Sequence, residues 1–247
     1  AADNNSGSGY TFDDIRLYKV TDDMQMLAID TPVVNSCGLT ATTPVRVIVR
    51  NSSNSVVSSV PVQFRYHNGV VWSGWTIESI PSIPANDTVH YTFTGTANMA
   101  PAGIYRVEAE VMYPTDTYDV NDTTSTELTN TPVIIVTNAT PHLQNFETDN
   151  GYWYTLGNSS WEYGTPASYK INRAASGSKA WKTRLAGNYD DNTAAILYSP
   201  CYDVSTMANP TLSFSLALDL EDCGAGFCDG AYVEYSTDGR TWSRLGT

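Results

Sequence analysis

The stretch that decides the fold is Gly103-Ile-Tyr-Arg-Val-Glu-Ala-Glu-Val-Met-Tyr113. Charged and apolar residues alternate along it, which is typical of a strand with one buried and one solvated face. The predicted core side carries Tyr105, Val107, Ala109 and Val111. The stretch therefore predicts a half-buried β-strand.

Similar stretches lie on both sides of this strand, and turn signals recur roughly every 10 residues, as in antiparallel sandwiches. His67-Asn-Gly69 between two apolar stretches predicts a hairpin. The composition favours strands, because Thr, Tyr and Val are abundant and helical Ala-Glu-Lys-Leu stretches are missing. The further predicted strands are Pro44–Arg50, Val60–Tyr66, Val70–Glu78, Thr88–Phe93 and a closing strand with linker over Thr129–Thr140.

The charge balance excludes several partners. The 247 residues include 13 Lys and Arg against 26 Asp and Glu, a formal net charge of -13. This surface repels nucleic acid and anionic lipid. Because the chain has no run of 18 apolar residues, we expect no membrane insertion. The start, Ala1-Ala-Asp-Asn-Asn5, lacks the features of a signal peptide. Charged residues make up only 16% of the chain and Lys is scarce, so we expect an extracellular or outer-surface protein.

Four cysteines allow three pairings. Cys223 and Cys228 are separated by a glycine-rich loop that permits a tight reversal, and we predict a disulfide between them. Cys37 and Cys201 can pair only if two domains touch, and their pairing stays open.

A set of motifs between residues 25 and 137 resembles the CARDB-type immunoglobulin-like domain, which occurs as a spacer in bacterial cell-surface proteins. The motifs are Asn35–Thr40, Val45–Asn51, Val60–Phe64, Gly103–Tyr105 and Asp119–Thr123.

A second set resembles the MAM-like or cleaved-adhesin jelly roll of large adhesins and secreted peptidases in bacteria with type IX secretion. Its motifs are Asn145–Glu147, Trp161–Pro166, Ser176–Thr183, Leu197–Pro200, Thr211–Phe214, Asp229–Ser236 and Asp238–Trp242. Tyr10–Tyr18 resembles the closing strand of such a module. The expected fold is all-β. A closing strand (1–20) precedes an immunoglobulin-like sandwich (25–137), and a partial jelly roll (141–247) follows.

The jelly-roll resemblance implies a structural calcium ion. Its ligands would be Glu147, Asp149 and Asp229, with Asp14 serving the same role in the preceding module. Ca²⁺ takes six to eight oxygen ligands, which carboxylates and strand-end carbonyls supply together. The alternative is turn chemistry, because Asp229-Gly230 is an ordinary turn dipeptide.

Aromatic residues offer a second kind of site. Trp153, Trp161 and Tyr163 are candidates for a platform that stacks on sugar rings. The alternative is that these rings are core residues of a sandwich. A glycan or a protein surface is the expected partner.

Catalytic signatures are missing from the sequence. It contains neither the H-E-x-x-H of metalloproteases nor the G-x-S-x-G of serine hydrolases. The leading hypothesis is a non-catalytic structural or adhesive segment of a large modular protein. One alternative is the accessory region of a secreted peptidase whose catalytic domain lies outside this chain. Another is strand exchange between copies through Tyr10–Tyr18.

Overall fold

The computed structural model describes residues 23–191, 193–221, 224 and 228–246. The predicted module 1–20, with Tyr10–Tyr18 and Asp14, lies outside these residues, as does Cys223. The predictions for those positions stay predictions.

The first half folds as two stacked sheets. A three-stranded antiparallel sheet has the order β1-β3-β6, and a five-stranded sheet has the order β2-β8-β7-β4-β5. The β2–β8 pair is parallel, and the other pairs of the larger sheet are antiparallel. The strands are β1 Met24–Thr31, β2 Asn35–Cys37, β3 Thr43–Asn51, β4 Val57–His67, β5 Thr76–Ile83, β6 Thr88–Ala97, β7 Gly103–Val111, β8 Thr123–Thr131 and β9 Val133–Ile135.

The core lies between these two sheets. The four residues predicted on the inner side of β7 are all buried there, and β3 contributes Val45, Val47 and Val49 to the same cluster. Full burial of each of these valine side chains contributes about 1.5–3 kcal/mol. The predicted all-β class with an immunoglobulin-like sandwich is confirmed.

The largest differences from the predicted strand boundaries are at the starts of β5 and β8. β5 begins at Thr76, whereas the sequence predicted a strand from Val70. The residues between belong to a loop that folds back on β4, because the Asn68 side chain accepts the N–H groups of Val70 and Val71. The closing strand β8 begins at Thr123, well before the predicted start at position 129.

A buried asparagine fixes the loops at one end of the sandwich. Asn51 is 0% exposed. Its Nδ2 donates to the backbone carbonyls of Ser55, Ile83 and Pro84 at 2.8–3.1 Å. Its Oδ1 accepts the N–H of Ser53 at 2.9 Å. This one amide therefore ties the β3–β4 and β5–β6 connections together.

The second half consists of short strands and long connections. The strands are β10 Trp161–Gly164, β11 Ala180–Thr183, β12 Cys201–Asp203, β13 Glu234–Tyr235 and β14 Ser243–Arg244. β10 pairs with β11 and β13 with β14, both antiparallel. Its MAM-like or cleaved-adhesin character stays a prediction. Within the described ranges, no helix is long and apolar enough to cross a membrane.

Candidate functional site

The two halves are covalently joined. Cys37 at the end of β2 forms a disulfide with Cys201 at the start of β12, with the two Cα atoms 6.0 Å apart and 164 positions apart in sequence. β2 runs parallel to β8, and β12 runs parallel to β9, which follows β8 directly. These two pairings bring the cysteines to the same place. The structure therefore joins a pair that the sequence left open.

A parallel strand pair continues this junction. Val133, Ile134 and Ile135 of β9 lie opposite the three residues of β12. The N–H of Val136 donates to the carbonyl of Asp203 at 2.9 Å. Thus the chain that leaves the sandwich is hydrogen-bonded to the second half.

Asp30 forms the charged centre of the junction, with a side chain 11% exposed. Arg46 of the sandwich and Arg240 of the second half contact its two carboxylate oxygens at 2.5 and 2.8 Å. Arg240 also donates to the Asp30 backbone carbonyl, and His90 Nδ1 lies 3.4 Å from the carboxylate. Burial raises the pKa of Asp30, but hydrogen bonds from Arg240 and Arg46 lower that pKa overall. Asp30 is therefore charged at neutral pH and pairs with one arginine from each half.

The turn that presents Arg240 is built by Asp238. Its Oδ1 accepts the N–H groups of Thr241 and Arg240, both at 2.8 Å. These bonds lower the pKa of Asp238 to about 2. Gly239 has φ +68°, and a Cβ on it would lie 2.9 Å from the carbonyl oxygen of Asn35. A glycine is needed there because the turn approaches the sandwich so closely.

Aromatic contacts complete the junction. The Tyr154 hydroxyl donates to Oδ1 of Asn35 at 3.0 Å. Burial raises the pKa of this phenol. The ring of Tyr154 stacks on Tyr198 at 5.3 Å, and Tyr198 contacts Trp242 edge-on at 5.9 Å. A cleft of about 160 Å³ remains open between the halves beside Asp30.

Glu147, a predicted calcium ligand, is engaged by backbone. Its oxygens accept the N–H groups of Lys179 and Ser178 at 2.8 and 2.9 Å. The bond from Lys179 has the largest effect, and together the two bonds lower the pKa of Glu147. The carboxylate therefore already ties the segment before β10 to the segment before β11.

The other predicted ligands are bonded locally. Asp149 accepts the N–H of Gly151 at 2.8 Å, and Asp229 accepts the hydroxyl of Tyr189 at 2.5 Å. Across the described part of the chain, no group of three or more His, Cys, Asp or Glu residues could hold a metal ion. The calcium site stays a prediction, as does the role of Asp14.

The three predicted platform rings pack within the second half. Trp161 Nε1 donates to the carbonyl of Ala195 at 3.2 Å, and the Tyr163 hydroxyl donates to that of Phe146 at 2.6 Å. Trp153 packs edge-on against Phe146 at 5.8 Å. These contacts stabilise loops, and the sugar platform stays a prediction.

The predicted Cys223–Cys228 disulfide also stays a prediction, because Cys223 is not among the described residues.

A carboxylate cluster at the edge of the sandwich was missed by sequence reasoning. Burial first, then the charges of Asp116, Asp23 and Asp119, raise the pKa of Asp122 to about 7. Oδ1 of Asp122 is buried and has no hydrogen-bond partner among the described residues. Asp116 accepts the N–H of Met24 at 2.5 Å, which places it at the start of β1. The charged carboxylates of this cluster therefore repel one another at neutral pH, which destabilises the folded state.

The histidines form no common site. His67 ends β4, His90 lies on β6 beside Asp30, and His142 lies in the connection after β9. The described residues thus place no two histidines together for catalysis.

Part of this chain is similar to part of a known bacterial peptidase. No family model matches the chain. Bacillopeptidase F of Bacillus subtilis (strain 168) is 34% identical over 105 residues, which are 42% of this chain and 7% of that protein. The match therefore spans only a small part of the peptidase.

Several solved structures are similar to part of this chain at low identity. A CARDB domain from Pyrococcus furiosus, in complex with di-metal ions, is 18% identical with a TM-score of 0.35, covering 47% of this chain and 99% of its own. A domain of a Methanosarcina acetivorans protein, described as a cell-surface protein, is 16% identical with a TM-score of 0.36. It covers 44% of this chain and 92% of its own.

Proposed function

We propose that this chain is a non-catalytic structural or adhesive segment of a modular extracellular protein, with the sandwich as a spacer. The observation that carries the proposal is the disulfide between Cys37 and Cys201, which joins the spacer to the following half. A second chemical contact, Arg240 on Asp30, acts across the same junction.

The disulfide changes the path of a mechanical load. Tension that enters before β2 and leaves after β12 passes through the sulfur atoms and bypasses β3 to β11. The two cysteines are 164 positions apart. At about 3.5 Å per extended residue, about 570 Å of chain is protected from extension. Such protection suits a segment that links an anchor to a binding unit.

The same bond supports an extracellular location. Disulfides persist in oxidising compartments and are rare in reducing ones. The acidic, lysine-poor surface supports this location as well. On the basis of the family resemblance, we also propose that this is a bacterial surface or secreted protein that is exported by the type IX route.

Small-angle X-ray scattering tests whether the halves act as one unit. The oxidised chain should scatter as a single rigid particle. The variant Cys37→Ser/Cys201→Ser should show a larger radius of gyration and a broader distance distribution. Arg240→Ala, which leaves the disulfide in place, is the matched control and should stay rigid. A flexible two-body profile from the oxidised chain would contradict the proposal.

A second candidate function is the accessory region of a secreted peptidase. The identity with Bacillopeptidase F favours it. The two candidates differ in what the same gene encodes. A peptidase domain in the reading frame of this chain supports the second candidate, and a run of further spacer and jelly-roll modules supports the first.

Assembly through strand exchange is also proposed. Alternate side chains of the segment 211–220 are exposed although they are apolar, and the row consists of Leu212, Phe214, Leu216, Leu218 and Leu220. Tyr10–Tyr18 of a second copy has an alternating sequence that fits such a row. Removing residues 1–18 should reduce the oligomer size in sedimentation velocity, and an unchanged size contradicts this assembly.

A further inference from the structure

Two tryptophans lie on the solvent side of the five-stranded sheet. Trp72 and Trp75 are 37% and 36% exposed, and both belong to the loop between β4 and β5. Val62 and Phe64 of β4 face the core. Because side chains alternate along a strand, Arg65 points to the solvent side of the sheet. The Arg65 Cζ atom lies 4.4 Å from the ring centroids of both tryptophans.

Hydrogen bonds hold this loop in place. The Asn68 side chain accepts the N–H groups of Val70 and Val71 at 3.1 and 3.0 Å. The N–H of Ser73 donates to the Tyr66 carbonyl at 2.7 Å. The indole rings are therefore positioned before any ligand arrives, which lowers the entropy cost of binding.

Polar groups of neighbouring strands lie beside the rings. Arg65 Nε and Nη2 contact one oxygen of Glu108, Oε2, at 2.9 and 2.7 Å. On the next rung of the sheet, Gln63 Nε2 donates to Oε2 of Glu110 at 2.6 Å. The Arg65 contacts leave Oε1 of Glu108 able to accept a hydroxyl group, and a bond to a charged acceptor is a strong one.

This combination fits one class of ligand. A pyranose ring has an apolar C–H face, which stacks on an exposed indole, and an edge of hydroxyl groups, which bond to fixed carboxylates. We propose that Trp72, Trp75 and Glu108 form a binding site for a neutral glycan.

Charge argues against an anionic glycan. The guanidinium of Arg65 is already paired with Glu108, so it offers no unpaired positive charge. The chain as a whole carries a net charge of -13. Repulsion therefore disfavours sulfated or carboxylated polymers.

The site goes beyond the proposed function, because it puts ligand recognition on the sandwich itself. A simpler explanation for the two indoles is that they only shield the Arg65–Glu108 pair. Shielding alone predicts a loss of stability on substitution and no binding. An exposed apolar patch with a polar rim is typical of an interaction surface.

Affinity electrophoresis of the whole chain tests the site. The probes are three neutral soluble polysaccharides, laminarin, mannan and galactan, with alginate as the anionic comparator. We expect retardation by at least one neutral polymer and none by alginate. Trp72→Ala and Trp75→Ala should each weaken binding about tenfold or more, as expected for a stacking residue at a hot spot. Val70→Ala, an exposed position of the same loop, is the matched control and should bind normally.

Further variants keep the outcome decisive. Trp75→Tyr retains a stacking ring and should recover part of the binding even if Trp75→Ala is unstable. The proposal is overturned if no neutral polymer retards the chain, if alginate alone does so, or if Trp72→Ala/Trp75→Ala binds like the native chain. None of these results bears on the rigidity of the junction, which the scattering experiment measures separately.

Discussion

Replacing Asp122 by asparagine should stabilise the protein at alkaline pH. Asp122 lies near Asp116, Asp23 and Asp119, and its pKa is raised to about 7 by burial and by these charges. The folded state therefore holds a proton that the unfolded state releases near the ordinary value of 3.8. The stability that this proton provides is complete below pH 3.8 and is lost as the pH rises towards about 7.

The expected size follows from the two pKa values. A rise from 3.8 to about 7 corresponds to about 4 kcal/mol for a fully buried group. Asp122 is half-buried, and solvent screening reduces this to about 2 kcal/mol. Asparagine has the same shape without the charge, so Asp122→Asn should recover this energy at pH 8. The thermal midpoint of the sandwich should rise by about 8 °C.

Thermal unfolding followed by circular dichroism between pH 4 and pH 8 measures this effect. The buffers contain a chelator, so that no divalent cation neutralises the carboxylates. The difference between Asp122→Asn and the native chain should be near zero at pH 4 and largest at pH 8. Glu127→Gln, at an exposed position of β8, is the control and should change the midpoint little at either pH. A variant that melts below the native chain at pH 8, or a difference independent of pH, refutes the reasoning.

Three other substitutions or treatments have definite expected outcomes. Asn51→Ala should cost about 3 kcal/mol or more, since it leaves buried carbonyls unpaired, whereas Asn54→Ala at an exposed position should cost little; urea unfolding measures both. Burial raises the pKa of Glu78, but hydrogen bonds from Gly95, Tyr91 and Thr94 lower this pKa to about 2. The contribution of the Glu78 carboxylate to the stability of the folded state is therefore present above pH 4.5 and is lost as the pH falls towards 2. Glu78→Gln should therefore lower the free energy of unfolding by about 1–2 kcal/mol at pH 7. In acid titrations of stability, the difference between the native chain and this variant should narrow below pH 4.5, and a constant difference contradicts the prediction. If Glu147, Asp149 and Asp229 hold calcium, a chelator should lower the melting midpoint of the native chain and leave that of Asp229→Asn unchanged, and an unchanged native midpoint removes the ion from the account.

The sandwich was predictable because its signal is local. The alternation in Gly103–Tyr113 placed the core side of β7 correctly, since period two and burial are properties of the strand itself. The loop at 68–75 was not predictable in the same way. Its apolar residues have a strand-like composition, but backbone N–H groups that donate to the Asn68 side chain, together with contacts with Arg65, decide its conformation.

The junction was harder to predict because its members are distant in sequence. Arg240 meets Asp30 across 210 positions, and Cys37 meets Cys201 across 164. Composition contains no information on such pairs. One signal was present in the cysteines, because a pairing of Cys223 with Cys228 leaves Cys37 and Cys201 for each other. The turn at Asp238-Gly239 was visible in the sequence, but its approach to Asn35 required the tertiary structure.

Single-molecule force spectroscopy tests the central claim most directly, that the Cys37–Cys201 bond carries load past the sandwich. Handles are placed at the two ends of the chain, and the total gain in contour length is recorded with and without a reducing agent. We expect the oxidised chain to extend without the roughly 570 Å enclosed by the bond, and reduction or Cys37→Ser/Cys201→Ser to release that length. An oxidised chain that reaches the same contour length as the reduced one contradicts the account.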